Sequence, residues 1–424
     1  MKNRALFVLV SGLLLLTGQT FGQSYTFLQI DVSCNAASAA SDCPAGLVPG
    51  QVAVQTTAKG INAVGDIVGA YVAGGKQRGF LLKDGLNSIL TGAPLHFTTI
   101  EFPGQFRTIS GGMSVIAGVR NTIVNAINPQ GEIVGQYLLP VNDPNDPNRE
   151  TDPTQANYPY NRDPALYCPA NLPDGSADAA CIKAFHYARG KFTTILFSDT
   201  VDPDGTHRPN RGAIAQRITP NGDIYGCLHD HDLGPSMFGA AWKRYRGKDK
   251  TVVPAFSLTS AGGEVSDPMG TPMSMNNGGT PGGQTIIGFF MNMANQQHGY
   301  VVQDGMLQTY DPTAATNLTA IWDINPNQQF VGTFREAGEP GPKRHGFLQN
   351  PDGSAPVKLD FTFQDASGNT VTAFATIIFG VNPDGVVVGQ YTLVANGPVH
   401  GFVAVPASNA GLFRRHDGCR ECRQ

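Results

Sequence analysis

The densest group of side chains able to hold a metal or move a proton is His229-Asp230-His231-Asp232. In an extended segment His229 and His231 point the same way, which would make a two-histidine site with carboxylate help alongside. A second cluster, Asp202-Pro203-Asp204-Gly205-Thr206-His207, resembles a cation loop without the full EF-hand spacing. His229, His231, Asp202 and Asp204 are thus the candidate metal ligands, and His229, Asp230, His231 and Asp204 the candidate ligand contacts. The Pro/Asp/Asn-rich segment 139–182 adds oxygens suited to Ca²⁺ or another divalent ion. Each of these stretches also fits a solvated polar loop, and no motif demands a cofactor.

Catalytic signatures are missing from the sequence. No G-x-S-x-G, H-E-x-x-H, Walker A or dinucleotide fingerprint stands in a supporting context. The glycine-rich run 278–283 opens no helix, which argues against a phosphate cradle. The enzyme question stays open on the sequence. A binding protein is the leading reading, and a hydrolase or lyase, metal-assisted at His229, His231, Asp202 or Asp204, is the alternative.

The elements that must position these residues come from an internal repeat. A hairpin recurs six times, as in Ile61-Asn62-Ala63-Val64-Gly65-Asp66-Ile67-Val68-Gly69 and Val381-Asn382-Pro383-Asp384-Gly385-Val386-Val387-Val388-Gly389. The copies begin their turns at residues 62, 128, 219, 276, 325 and 382. Asn bonds its own backbone, Pro presets φ and Gly accepts positive φ, so the segment turns. The β-branched run that follows is a strand, interrupted at one fixed place by Gly69, Gly135, Gly226, Gly288, Gly332 or Gly389. A glycine fixed within a strand predicts close approach of a backbone or ring.

Each hairpin is followed by a strand such as Arg78-Gly79-Phe80, His298-Gly299-Tyr300, His345-Gly346-Phe347 or His400-Gly401-Phe402, and then by one such as Phe97-Thr98-Thr99-Ile100. The repeated histidines and aromatics are expected to serve packing and a recurring hydrogen bond rather than a metal. Four short antiparallel strands make a blade, here a to d, so the expected fold is an all-β, six-bladed β-propeller. The sixth copy lacks its d strand, and residues 25–32 match it, which predicts a ring closed by the N-terminal strand. Single-domain boundaries of 23–406 follow, with an insertion at 139–182 and a tail at 407–424. Most a–b and c–d turns are short. The long b–c and d–a connections, 33–51, 103–121, 139–182, 198–210, 229–238 and 258–271, fall on one face, the candidate binding surface.

The Ile-Asn-x-x-Gly-x-Ile-Val-Gly-x-Tyr element followed by His-Gly-Phe resembles the HAF-type repeats of bacterial extracellular proteins. The resemblance covers nearly the whole mature chain and implies secretion and a repeat β architecture. It brings no catalytic residues with it. Copy three departs furthest, with Thr219 for Asn and Ala240 for His, and copy five has Gln328 in place of the turn glycine.

Composition and targeting agree with export. Lys2 and Arg4 precede the apolar run 5–16, and Thr20 and Gly22 suit cleavage, so 1–22 reads as a signal peptide. No later stretch reaches transmembrane length, and the expected destination is extracellular or periplasmic. Cys34 with Cys43 and Cys168 with Cys181 bracket short loops and are expected as disulfides. Cys227, in an apolar segment, is expected as a buried free thiol. Cys419 and Cys422 leave a tail disulfide, a metal site with His416, or redox chemistry open. Charged residues are 15% and the formal charge is −4, which excludes a polycationic nucleic-acid binder. The 51 Gly and 30 Pro exclude a coiled coil or helical bundle. A glycan, peptide or protein is the expected partner.

Overall fold

An asparagine that closes its own turn sets the start of most units. The Asn62 Oδ1 accepts from the backbone N–H of Val64 at 3.1 Å and of Asp66 at 2.9 Å. Asn128, Asn325 and Asn382 repeat this bond. The computed structural model describes residues 24–141, 143, 168, 181–195, 212–229, 237–242, 252–253, 274–292, 294, 296–304, 306–314 and 316–407. The signal-like segment, most of the 139–182 insertion, Asp202, Asp204, Asp230, His231 and the cysteine-bearing tail lie outside them.

The chain begins with β1 (Tyr25–Ile30). The first full unit is β2 (Gln55–Ile61), β3 (Ile67–Ala73), β4 (Lys76–Leu82), helix α1 (Gly85–Thr91) and β5 (Phe97–Ile100). A hairpin of β6 (Phe106–Ser110) and β7 (Met113–Ala117) leads to β8 (Asn121–Ile127), β9 (Ile133–Leu138), β10 (Ile182–Ala188) and β11 (Lys191–Ile195). Next come β12 (Gly212–Ile218), β13 (Ile224–His229), β14 (Met237–Trp242) and β15 (Val252–Val253). The following set is β16 (Ser274–Gly279), β17 (Thr285–Met291), β18 (Gln297–Gln303) and β19 (Met306–Tyr310). It precedes β20 (Thr316–Ile324), β21 (Phe330–Glu336), β22 (His345–Gln349) and β23 (Val357–Leu359). A second hairpin, β24 (Thr362–Gln364) and β25 (Thr370–Thr372), precedes β26 (Ala375–Val381), β27 (Val387–Thr392) and β28 (His400–Pro406).

Pairing within each set is antiparallel and sequential. β2–β5, β8–β11 and β12–β15 each form a four-stranded sheet. β16–β19 and β20–β23 count as one larger sheet only through a single parallel bridge, Gln297 to Leu318. The last sheet runs β1-β28-β27-β26, with Tyr25 opposite Pro406 and Ile30 opposite Gly401. The N-terminal strand therefore supplies the missing edge, as the sequence predicts. The a strands β2, β8, β12, β16, β20 and β26 each touch the next, and β26 returns to β2.

The core lies between neighbouring sheets: Val68 of one packs with Val124, Ile127 and Ile133 of the next, and Val331 and Leu348 with Ile378 and Val387. Inside each sheet the fixed glycine sits under the c-strand aromatic. A Cβ on Gly69, Gly135, Gly332 or Gly389 would lie 2.0 to 2.2 Å from a backbone oxygen and 2.6 to 2.9 Å from the ring of Phe80, Phe185, Phe347 or Phe402. Those four rings are wholly buried. The expected close approach is present.

Three details differ from the sequence reading. In the fourth set the equivalent of the turn asparagine is Thr280, four residues after Asn276, because the strand runs on to Gly279 before turning. The c–d connection of the first unit is long, since α1 is inserted and Leu86 is tied to the β2–β3 turn through the Gly65 carbonyl. The 360–374 connection carries the β24–β25 hairpin, so it joins the long d–a connections.

Replacing Gly389 by Val is expected to lower unfolding stability by about 3 kcal/mol or more, through overpacking against Ile377 O and Phe402. Urea denaturation measures it, and a loss below about 0.5 kcal/mol would contradict the packing. Deleting residues 24–30 is expected to abolish cooperative melting, because it leaves β28 with an open edge.

Candidate functional site

Two regions bring polar side chains together: the face of the b–c and d–a connections, and the axis where the a strands meet. On the face, four of the basic or His residues opening a c strand meet the acid that follows the d strand. Arg78 Nε lies 3.1 Å from Glu101, and His298, His345 and His400 lie 2.8 Å from Asp311, Asp360 and Asp31. The same segments reach the next unit. The Asp311 Oδ1 accepts from Thr319 Oγ1, while Val32, Phe102 and Phe361 N–H donate to Thr56, Thr122 and Thr376. Phe102 and Phe361 stack at 3.7 Å on Tyr137 and Tyr391. The repeated histidines thus hold, within their own units, the segments that reach the next unit, in keeping with the architectural role expected of them.

His345 is paired on both ring nitrogens, to Asp360 and, at 2.8 Å, to Glu339. Burial opposes its charge, yet the hydrogen bonds from both carboxylates outweigh that and raise its pKa above the ordinary histidine value.

On the axis, every a strand carries a β-bulge, one extra residue opposite its b strand. The bulges lie at 58/60, 124/126, 215/217, 276/278, 321/323 and 378/380. The residues just after them are Gly60, Ala126, Arg217, Gly278, Asp323 and Gly380. Four are small because backbones crowd there: a Cβ on Gly60 would lie 2.9 Å from Ala126 Cα. The other two form an ion pair, with Arg217 Nε 3.1 Å from Asp323 Oδ1. Arg217 also donates to the carbonyls of Asn125, Gln216 and Phe379. The Asp323 carboxylate accepts from the N–H of Val381 and Ile324. Burial pushes the guanidinium down and the carboxyl up, and each partner partly offsets this for the other.

Between this pair and the a–b turns lies a cavity of about 190 Å³. Its rim carries Ala63, Pro129, Pro220, Pro281, Pro326 and Pro383, one from each unit. Part of the rim is a relay of amides: Asn62 Nδ2 donates to Asn128 O at 3.1 Å, Asn128 to Thr219 O, and Asn325 to Asn382 O at 2.9 Å. Thr219 and Thr280 close their own turns with Oγ1 and have no amide to pass on.

The residues inside the bulges are Lys59, Asn125, Gln216, Asn277, Trp322 and Phe379. Lys59 Nζ lies 4.7 Å from the Phe379 ring centre, and Trp322 packs edge-on against the same ring. Burial, reinforced by the Arg217 charge, pushes the Lys59 amine down to about 8. Sequence reasoning missed Lys59, Arg217 and Asp323. The one signal was their position three or two residues before the turn residue, where the other copies carry uncharged side chains.

The expected disulfides Cys34–Cys43 and Cys168–Cys181 are formed, and Cys227 is a buried thiol outside both, its pKa pushed far up by burial. His229 ends β13 with its backbone opposite Gly212 and Met237; nothing of its side chain is described. Its proposed companions Asp202, Asp204, Asp230 and His231 lie outside the described residues. Among the described residues no cluster of three or more His, Cys, Asp or Glu could hold a metal. Among them, too, no helix is long and apolar enough to cross a membrane.

Known structures offer distant likenesses. A sialidase from Trypanosoma rangeli is 10% identical with a TM-score of 0.46, matching 92% of this chain and 60% of its own. The SapL1 lectin in complex with alpha methyl fucoside is 10% identical with a TM-score of 0.41, matching 83% of this chain and 94% of its own. A variant of AofleA from Arthrobotrys oligospora is 12% identical with a TM-score of 0.37, matching 84% and 90%. The chain thus spans about 60% of the length of the sialidase it matches. At these identities the likenesses say nothing of this chain's ligand. No protein-family model matches the chain, and no curated protein does.

Two pH dependences are expected. His345 has a folded-state pKa above its unfolded value, so its contribution is complete below about pH 6.5 and fades as pH rises through the raised value. Thermal melts across pH 5.5 to 9 should show this slope, and His345→Gln should flatten it. For Lys59 the sign reverses. Its pKa is lowered from 10.5 to about 8, so the fold carries a penalty on the order of 3 kcal/mol at neutral pH that is relieved between about pH 8 and 10.5. Lys59→Met is expected to unfold at higher urea than the wild type at pH 7, with the gap closing toward pH 10.5.

Proposed function

We propose that this chain is an exported six-bladed β-propeller of the HAF-type repeat group that works by binding, holding a peptide or protein partner on the face of the b–c and d–a connections. Six blades are supported by the cyclic contact of β2, β8, β12, β16, β20 and β26 and by the β1–β28 closure. Export is supported by the signal-like residues 1–22 and by two disulfides in the folded domain.

The observation that carries the binding role is the distribution of exposed apolar side chains. Among the described residues ten large hydrophobic side chains are exposed, and eight of them sit on b–c or d–a connections. Val48, Val52 and Val54 lie before β2, Met113 and Ile116 on the β6–β7 hairpin, Phe363 on β24, and Leu393 and Val394 after β27. Only Val64 and Met306 lie at the opposite turns. Scattered exposure needs no explanation, whereas apolar surface concentrated on one face marks an interaction site. Among the described residues these connections follow β1, β5, β23 and β27, on either side of the closing sheet. Seven of the eight side chains are aliphatic or thioether, which suits a peptide or protein better than the ring-stacking surface a glycan takes. His229, Asp230, His231 and Asp204, which the sequence assigns to connections of the same kind, are the proposed polar contacts, with Ca²⁺ or another divalent ion held by the Asp-rich connections.

Screening the purified chain against peptide libraries and glycan arrays tests the reading. Peptide binding is expected, with a loss of tenfold or more in a Val54→Asp/Met113→Asp/Leu393→Asp variant whose stability changes by no more than about 0.5 kcal/mol per site. His229→Ala with His231→Ala should weaken binding without moving the melting temperature. Binding of glycans alone, or peptide binding untouched by the three substitutions, would overturn it.

A further inference from the structure

At the a–b end the axis widens into the cavity of about 190 Å³ that lies over the Arg217–Asp323 pair. Its walls are mostly apolar. Pro129, Pro220, Pro281, Pro326 and Pro383 stand around the mouth with Ala63. Each proline is there for its turn, whose φ it presets, and it carries no N–H. The collar therefore presents C–H surface, and below it come Ile61, Ile127, Ile218, Ile324 and Val381.

Arg217 and Asp323 are the only charged residues among those lining this cavity. The other polar side chains of its wall are engaged in the turns and the amide relay. Three of the five Arg217 N–H groups go to the carbonyls of Asn125, Gln216 and Phe379, and its Nε faces Asp323. The Asp323 Oδ1 meets that Nε and the Ile324 N–H, whereas among the described residues Oδ2 accepts from the Val381 N–H alone, at 3.0 Å. A carboxylate oxygen has two lone pairs, so Oδ2 keeps one to offer. The Asp323 side chain also retains 15% of its surface against 6% for Arg217. An occupant therefore meets the acceptor more readily than the guanidinium.

Size and charge select among occupants. A cavity of about 150 Å³ lined by aliphatic side chains holds a benzene ring, so this one has room for a single ring with a small substituent. Water finds few partners on such walls, and replacing poorly held water by an apolar group is favourable. An ammonium would bring an unmatched positive charge beside Arg217, and a carboxylate would confront Asp323. A hydroxyl on a neutral ring donates to Oδ2 and leaves the charge balance as it is.

We infer that the a–b mouth of the axis is a binding site for a neutral single-ring alcohol of the phenol type, its ring against the proline and isoleucine walls and its hydroxyl donating to Asp323 Oδ2. This site lies at the opposite end from the apolar connections and does not depend on their role.

Saturation-transfer NMR and titration of the full chain at pH 7 with p-cresol, toluene, benzoate and benzylamine test the inference. p-Cresol should bind at submillimolar concentration, toluene tenfold or more weakly, and benzoate and benzylamine more weakly still. Ala63→Trp, at the exposed rim, should fold with an unchanged melting temperature and weaken p-cresol binding by tenfold or more. Replacing the pair together, as Arg217→Met with Asp323→Leu, should make p-cresol and toluene bind alike. If that double variant does not fold, Ala63→Trp, which leaves the pair in place, carries the test. Absence of p-cresol binding, toluene or either charged ring binding as tightly as p-cresol, or binding untouched by Ala63→Trp would overturn it.

Discussion

Six strands that meet around one axis cannot all present side chains to it. This crowding governs the centre of the molecule, where the backbones at Gly60, Ala126 and Gly380 approach their neighbours closely and Gly278 lies against the Ile287 and Arg217 side chains. The room that glycine and alanine leave is filled by one long side chain from β12 and one short one from β20. Arg217 then does what no single hydrogen bond of the repeat does. It joins the carbonyls of Asn125 and Phe379 to the Asp323 carboxylate, and so connects strands of four different units. A buried pair of this kind contributes little net stability against an apolar replacement, but removing either partner leaves an uncompensated charge. Its effect is to fix which units face one another across the axis.

Away from the centre the units are held by short-range, repeated devices. Asn62, Asn128 and Asn325 accept from their own backbone on Oδ1 and donate Nδ2 to the next unit, so a single residue type serves both a turn and an interface. The Nδ2 of Asn382, by contrast, has no partner among the described residues. At the other end Glu101, Asp311, Asp360 and Asp31, each just after a d strand, hold the c-strand basic residue, and the segments that carry them reach the following a strand or stack on the following b strand. Cooperativity follows from this arrangement, since no unit satisfies its own polar groups alone. The β1–β28 pairing extends the same logic to the first and last strands, which share one sheet.

The parts that were legible in the sequence are those that recur. Turn asparagine, strand glycine and His-Gly-aromatic repeat often enough for their spacing to reveal strand order, closure and the c-strand core. The pairing of Cys34 with Cys43 and of Cys168 with Cys181 was legible because each pair closes a short loop. What could not be seen is what occurs once. A β-bulge has no sequence signature beyond a shift of one residue, so Lys59, Arg217 and Asp323 looked like ordinary strand residues. The fourth copy was misaligned because Asn276-Asn277 imitates the turn residue, whereas Asn277 is the bulge residue and Thr280 closes the turn. The amide relay was half visible: Asn was assigned its own turn and not its neighbour's carbonyl. The acid after each d strand went unremarked, although Glu101, Asp311, Asp360 and Asp31 stand at equivalent places.

The two ends of the molecule are built under different constraints. At the a–b end Asn62, Asn128 and Asn325 tie their turns to the one beside them, so an inserted residue there would break those links. At the other end the interfaces are made by the first residues after each d strand, and whatever follows is free of the packing. Long connections cost only slowly growing loop entropy, so this end can lengthen without disturbing the ring. The disulfide within 33–51, the two added hairpins and most of the exposed apolar side chains are found there. Among the described residues most of the long connections thus lie on one side, while the opposite side is tied between units by Asn62, Asn128 and Asn325, and the axis between them holds the Arg217–Asp323 pair.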